Sequence, residues 1–379
     1  MQPLDSQRKL AVLLISTSYP QNARDWRGRF IADMLQALSE SEKLAIALWA
    51  PPGDRPRAVG GAALPEESAW LQALAERGGI AHSLRANPLQ GLISAAGLLR
   101  RLRQAYRRNA DVDLVHVNWL QNALPLWGTT TPALITVLGS DFGLLRIPGM
   151  KAMLRAVLKQ RRCILAPNAE WMAPALRQSF GDIAEVEAIP FGVEKAWFSV
   201  QRQPLDPAAL QWLAVARLTR NKIGDLIEWG QDLFGPQRRL HLFGPMQEEI
   251  VLPPWITYHG PTNPSELQNE WFPKAAGLVT LSRHDEGRPQ VILEAMAAGL
   301  PVIASDLPAH RDLIAHRDTG WLATSRESLR EGLCFLEDRR HNREVGDSAR
   351  NWIASHIGTW DHCAERYRLR YHSLIHPEK

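Results

Sequence analysis

No run of eighteen apolar residues occurs anywhere in the chain, so no segment reads as a membrane-spanning helix. Cysteine is scarce: Cys163, Cys334 and Cys363 are far apart and form no Cys-x-x-Cys pair. That excludes a disulfide framework and a zinc site of the usual spacing, and the three read as buried thiols in a reducing cytosol. There is no short-period repeat and no low-complexity tract. The opening stretch, MQPLDSQRKLAVLLIST, has a basic pair followed by a short strand-like run and no small-residue cleavage site, so it reads as leaderless. The basic charge comes without an aromatic or recognition-helix pattern, and nucleic acid is not expected as a partner.

What is present is a pattern of two halves. A chain of 379 residues is long enough for two domains, each with its own apolar interior. Short Leu-rich or β-branched runs alternate with segments of helical periodicity, the signature of parallel strands joined by crossover helices. Strands are expected at 11–17, 43–50, 113–119, 133–139 and 162–168 in the first half, and at 211–218, 239–244, 256–260, 276–282 and 300–306 in the second. Between the halves, IPFGVEKAWFSVQRQPLDP reads as a linker near 190–208. Ser348 to Ser373 reads as one closing helix. The expectation is an α/β protein of two doubly wound, Rossmann-like domains facing a central cleft.

Charge is divided unevenly. Residues 1–190 hold 22 Lys and Arg against 16 Asp and Glu, and the remainder holds 22 against 24. The first half therefore carries the basic surface.

In open α/β sheets ligands sit beyond the carboxyl ends of the strands, which makes polar residues there informative. In EGRPQVILEAMAAGLPVIASD, Glu294 stands in an otherwise apolar helical run, where a carboxylate is normally paired or bound. Pro289 suits the first turn of that helix, and Gly299 with Pro301 its end. Glu286 then lies in the loop before the helix and Glu294 inside it, about five residues on from its start, or roughly 7 to 8 Å along the axis at ~1.5 Å per residue. Two carboxylates flank a helix amino terminus whose free N–H groups favour an anion, an arrangement suited to a ligand with hydroxyls at both ends and phosphate between. In ARLTRNKIGDLIEW, Arg217 and Lys222 are spaced to converge on a diphosphate.

These motifs resemble the family 4 retaining glycosyltransferases of the GT-B fold. LSRHDEGRPQVILEAMAAGLPVIASDLPAHRDLIAHRDTGWLA resembles the family's donor-site signature, ARLTRNK its Arg-Leu-x-x-x-Lys element, and AIPFGVEKAWF its interdomain stretch. ISTSYPQNARDWRGRFIADMLQAL is similar to its first strand, loop and helix. The resemblance implies an acceptor-binding domain over 1–195, a nucleotide-sugar domain over 196–350, and a helical segment, 351–379, packing back towards the first domain.

It implies roles for residues too. Glu294 would bind ribose hydroxyls, and Glu286 hydroxyls of the transferred sugar, with backbone N–H groups of Gly287, Arg288, Pro289 and Gln290 nearby in the donor site, Pro289 excepted as a donor. Arg217 and Lys222 would stabilise the departing diphosphate, which Gly28 and Gly244 would let the backbone approach. Asp141 and His116 would orient the acceptor, with Trp26, Asn118, Trp119 and Gly139 lining its place. The expected activity is metal-independent sugar transfer with retention from a UDP- or GDP-sugar, by front-side displacement and with no cofactor. The expected acceptor is a glycan or lipid-linked molecule of cell-surface polysaccharide or glycolipid synthesis.

The chain departs from the family pattern in places. Ile223 stands before Gly224 where glycine usually follows the lysine, and Leu138 stands where many members carry histidine. Leu138 favours a nucleotide-sugar-binding protein without transfer activity as the alternative; a glycosidase with paired carboxylates is a further one. Asp111 and Asp113 precede a strand and read as a solvated start rather than a metal site. Two basic helices remain. In LQGLISAAGLLRRLRQAYRRNA the residues Leu92, Ala96, Leu99, Leu102 and Tyr106 share an apolar face, and in MKAMLRAVLKQRR the residues Lys151, Arg155, Lys159 and Arg162 form a stripe. Both suit an anionic membrane surface, which places the protein in the cytoplasm, peripheral on the inner face of the membrane.

Overall fold

The computed structural model describes residues 8–22, 25–80, 83, 87–139, 141–284 and 286–376. The opening residues 1–7, part of the leaderless reading, lie outside them. The chain divides into two compact units, Met1–Phe191 with Trp360–Lys379, and Gly192–Thr359.

The first unit is built on a parallel sheet of β1 (Leu10–Ile15), β2 (Leu44–Trp49), β3 (Gly60–Gly61), β4 (Leu114–Asn118), β5 (Ala133–Val137), β6 (Cys163–Pro167) and β7 (Glu185–Val186), in the order β3-β2-β1-β4-β5-β6-β7. The second has β8 (Leu210–Val215), β9 (Arg238–Phe243), β10 (Ile256–Gly260), β11 (Gly277–Thr280), β12 (Val302–Ser305) and β13 (Trp321–Ala323), parallel in the order β10-β9-β8-β11-β12-β13. Both sheets are covered on two faces, which is why their strands are apolar at successive positions rather than alternate ones. In β1, Leu13 and Ile15 enter one core while Val12 and Leu14 enter the other. Trp212 and Leu213 of β8 divide in the same way.

The helices of eight residues or more among the described residues are α1 (Arg29–Ser39), α2 (Pro65–Glu76), α3 (Pro88–Arg108), α4 (Met150–Leu158), α5 (Ala173–Phe180), α6 (Gln290–Ala297), α7 (Arg326–Glu337), α8 (Arg339–His356) and α9 (Trp360–Ile375). The closing segment is two helices, not one. Gly358, at φ 73°, turns the chain between α8 and α9. α9 then buries Trp360, Cys363, Tyr367 and Tyr371 in the first unit's core beside α1.

The basic helices differ from their sequence reading. α3 buries Gly91, Leu98, Leu102, Ala105 and Tyr106, so Leu92 and Ala96 face solvent. α4 stops at Leu158; Lys159 caps it, Arg162 lies beyond it, and Arg155 pairs with Asp182 while donating to Ser179 O at 2.7 Å. The four cations therefore do not make one helical stripe. Asp113 is no free carboxylate either: it accepts from Ala11 N at 2.7 Å and Arg8 Nη2 at 3.1 Å, pinning β4 to β1.

Candidate functional site

Strand order locates the site. In each sheet the chain winds outward in one direction and then returns to wind the other way, and the reversal falls between β1 and β4 in the first unit and between β8 and β11 in the second. Such switch points open a crevice at the carboxyl ends of the strands.

At the second switch point the loop after β8 and the loop after β11 are stitched together. Arg283 N donates to Asn221 O at 2.8 Å, Asp225 N to Leu281 O at 3.1 Å, and Arg283 pairs with Asp225. The close approach needs Gly224, at φ 54°: a Cβ there would lie 1.9 Å from Leu281 O. The glycine one place later than expected thus lets the two loops touch. Gly244 likewise packs its backbone on Ala216, where a Cβ would lie 1.7 Å from the carbonyl oxygen.

This stitching brings Lys222 onto Glu286. Lys222, in the short helix Arg220–Ile223 capped by Thr219, forms an ion pair through Nζ with Glu286 Oε1, both side chains being about 15% exposed (15% and 14%). Burial, with Arg217 adding to it, holds the ammonium below the usual lysine range, and Glu286 partly offsets that. Arg217 lies exposed just past β8. Ser282 Oγ, 3.5 Å from Glu286 Oε1, also accepts from His284 N at 3.0 Å.

α6 begins after this loop. Pro289 is the cap residue rather than the first helical one, and Ile292 N donates to its carbonyl at 3.1 Å. Gln290 Nε2 donates to Gly192 O at 2.9 Å, and Gly287 is buried. Glu294 is half-buried in the helix interior, with Leu293 and Ala295 fully buried on either side. The other end of α6 is held by Arg350, which donates to Ala297 O at 3.1 Å and Ala298 O at 2.8 Å, whereas the Pro289 cap residue makes no side-chain hydrogen bond to its amino end.

Arg288, which the sequence singled out only for its backbone, and His310 and Ser305, which it did not single out, belong here. The Arg288 side chain is 4% exposed and pairs with Asp312, leaving Nε and Nη1 without partners among the described residues. His310 is fully buried, with Nδ1 2.7 Å from Ser305 O. Ser305 Oγ donates to Ser282 O at 2.6 Å, joining the ends of β12 and β11. For Ser305 and His310 the available signal was a polar residue at the end of β12 or shortly after it.

The first switch point is different in kind. Gly28, at φ 67°, caps α1 against Ser18. Asn118 is buried at the end of β4, with Nδ2 bonded to Ile15 O at 3.0 Å and Oδ1 without a partner among the described residues. Trp119 takes φ 67°, an unusual conformation for a tryptophan. Such a backbone costs of order 1–3 kcal/mol and persists only when its surroundings impose it. They do so here: Trp119 N donates to Thr136 O at 3.0 Å, and Leu120 N donates to Asp141 Oδ2 at 2.8 Å. The Trp119 ring meets Phe30 edge-on at 6.2 Å, and Trp26 is 41% exposed.

Two sequence assignments are corrected. Asp141 is buried, and its other oxygen accepts from Leu138 N at 2.9 Å, so both oxygens tie the loops after β4 and β5 together. Burial pushes its carboxyl up although those N–H groups favour the ionised form. It is not a side-chain helix cap, and with both oxygens occupied it does not orient an acceptor. Gly139, at φ 91°, shapes the same turn. His116 is fully buried, with Nδ1 2.5 Å from Tyr371 Oη and Nε2 2.8 Å from Thr136 Oγ1. Burial lowers its pKa to about 3. It joins β4 to α9 as a neutral core group and has no nitrogen left for a substrate.

Residues 254–352 match the family model for glycosyl transferases group 1, and this segment contains Glu286, Glu294 and α6. No curated protein matches the sequence. Among solved structures the chain is similar to sucrose-phosphate synthase from Thermosynechococcus elongatus, with TM-score 0.71 and 17% identity over 97% of this chain and 99% of that one. It is also similar to Anabaena HepE in complex with UDP-glucose, with TM-score 0.64 and 14% identity over 96% and 100%, and to the trehalose-6-phosphate synthase OtsA, with TM-score 0.63 and 12% identity over 95% and 98%. The chain therefore has the GT-B fold of two parallel-sheet Rossmann-like units, and the part that carries both glutamates matches the glycosyl transferases group 1 model.

Proposed function

We propose that the protein is a retaining glycosyltransferase that moves a hexosyl group from a UDP- or GDP-sugar to a glycan or lipid-linked acceptor. The observation that carries this reading is the Lys222–Glu286 pair at the β8/β11 switch point, with Glu286 in the loop before α6 and inside the matched segment. A diphosphate leaving group gains negative charge in the transition state, and fixed cations and N–H dipoles stabilise that charge without a metal. Lys222 and Arg217 supply the cations, and the backbone after Glu286 supplies the dipoles. Glu286 leaves Lys222 when a donor binds and accepts from the sugar hydroxyls, while Glu294 accepts from the ribose. HepE, whose structure holds UDP-glucose, supports a nucleotide sugar as the ligand. A donor phosphate oxygen takes the acceptor proton, since neither His116 nor Asp141 is free to do so.

The decisive experiment is a panel of UDP-, GDP- and ADP-sugars tested for thermal stabilisation. A donor at a hundred times its dissociation constant adds about 2.7 kcal/mol. Acceptor-dependent release of nucleotide, unaffected by EDTA, then separates transfer from binding alone. No stabilisation by any of them overturns the reading.

A membrane-anchored acceptor in cell-surface polysaccharide or glycolipid synthesis, reached from the cytoplasmic side, fits the surface of α3. No helix among the described residues is long and apolar enough to cross a membrane. Leu89, Leu92 and Ile93 are 70%, 62% and 65% exposed, and the same helical face continues into Arg100 and Arg107. Binding to anionic vesicles that falls with salt, and is absent with neutral ones, is the expected result.

A further inference from the structure

His310 does not pack as an ordinary core residue. Its Nδ1 lies 2.7 Å from Ser305 O, an acceptor, so Nδ1 carries the hydrogen and Nε2 is the bare nitrogen. Nε2 is buried and has no partner among the described residues. An unfilled buried acceptor is a cost that an apolar side chain would avoid. What the histidine contributes is therefore its other nitrogen, Nδ1.

That nitrogen begins a chain of contacts. Ser305, held by His310, donates through Oγ to Ser282 O at 2.6 Å. Ser282 is the residue from which the Glu286 loop departs; its Oγ lies 3.4 Å from Asn221 O on the Lys222 side and 3.5 Å from Glu286 Oε1. Burial keeps the imidazole neutral, and both Glu286 and Lys222 are close enough to bias its charge.

We propose that His310 is a positioning residue: through Ser305 and Ser282 it holds the Glu286 carboxylate in place between the Lys222 loop and the start of α6. For ligand binding this rests on the nucleotide-sugar reading above; for the free protein it does not.

Two measurements test it. The first is a double-mutant cycle in the ligand-free protein, with His310→Leu, Glu286→Gln and the double variant compared by unfolding midpoint. The expected result is a double variant that falls by less than the sum of the single shifts. Additive shifts overturn the proposal. The second compares UDP with UDP-glucose as probes. His310→Leu is expected to weaken UDP-glucose binding by about tenfold and UDP binding by no more than about twofold, as loss of a contact to the sugar alone would do. His310→Asn, which keeps a donor near Nδ1 for Ser305 O, is expected to restore most of the loss. A leucine variant that binds UDP-glucose as the wild type does, or an equal loss for both ligands, overturns the proposal. Should the wild type bind neither probe nor any other nucleotide sugar, the functional reading fails, and the cycle alone decides whether His310 positions Glu286.

Discussion

The two switch points occupy the same place in two similar sheets and are built from opposite materials. At β8/β11 the residues beyond the strands are charged and partly accessible, and the lysine and glutamate pair with each other. At β1/β4 the titratable residues at and after the ends of β4 and β5 are sealed: His116 and Asp141 bond every polar atom within the fold, and an accessible ion pair, Arg27 with Asp25, lies further along the loop after β1. An ion pair that is still partly solvated can be exchanged for a ligand at small cost, whereas a buried group with all its bonds made cannot. Chemistry belongs at the first kind of site and shape at the second.

The largest test of that contrast is removal of the exchangeable charges. Lys222→Ala and Glu286→Ala should each lower turnover by about 10²–10³-fold, the range seen when one preorganised electrostatic contact is lost. Nucleotide release with acceptor present is the measurement. The two variants should differ in binding: Lys222→Ala weakens free nucleotide and nucleotide sugar alike, while Glu286→Ala weakens only the latter.

Asp141→Ala should do the reverse, costing stability rather than chemistry. It leaves the N–H groups of Leu120 and Leu138 unpaired in a buried turn, a loss of about 2–3 kcal/mol, and it releases the backbone of Trp119. Chemical denaturation should show the drop while nucleotide affinity at the other switch point stays the same. A loss of affinity equal to the loss of turnover in Glu286→Ala would erase the distinction between the two sites.

His116 gives a pH signature to the sealed site. Its folded pKa of about 3 lies below the ordinary 6.5, so the unfolded chain binds the proton first. Its contribution is fully present above 6.5 and is lost as pH falls towards 3, amounting to about 2 kcal/mol at pH 5. His116→Gln should flatten the stability profile between pH 6.5 and 5.

The sequence made one of these sites legible and misled about the other, for a physical reason. Charged residues in an apolar context, such as Glu294 and Lys222, announce themselves because burial makes them expensive, and parallel strands buried on both faces are conspicuous as continuous apolar runs. A histidine in a strand end carries no mark of which neighbours will satisfy it; His116 found Tyr371, 255 residues away. The strands missed, Gly60–Gly61, Glu185–Val186 and Trp321–Ala323, are two or three residues long at sheet edges, too short for any period to show. α3 was misjudged because periodicity shows that a helix has an apolar side but not that Leu89, Leu92 and Ile93 would be left outside. The Arg288 side chain was not foreseen since its partner, Asp312, comes from a different loop, and His310 went unremarked because nothing in the sequence shows that Nδ1 would turn back onto Ser305 O.

The smallest expected effect falls on Glu294, the residue that first pointed to a ligand. It is half-buried in α6 between fully buried Leu293 and Ala295, and the core on that face is made by Ile292, Leu293 and Met296 rather than by the carboxylate. Replacing it by alanine therefore removes no apolar contact and introduces a better helix former at a position inside α6. Unfolding midpoints should stay within the range of surface substitutions, about 0.5 kcal/mol. Affinity for free nucleotide should nevertheless fall about tenfold, the loss of about 1.4 kcal/mol expected for a charged acceptor shared between ribose hydroxyls. Calorimetric titration with UDP and GDP is the measurement, and unchanged affinity for both would remove Glu294 from the ligand site. The comparison with Asp141 is then direct. Asp141 lies in the loop after β5 and Glu294 in the helix after β11, and the carboxylate whose loss leaves the fold intact while weakening the ligand is the one that faces the chemistry.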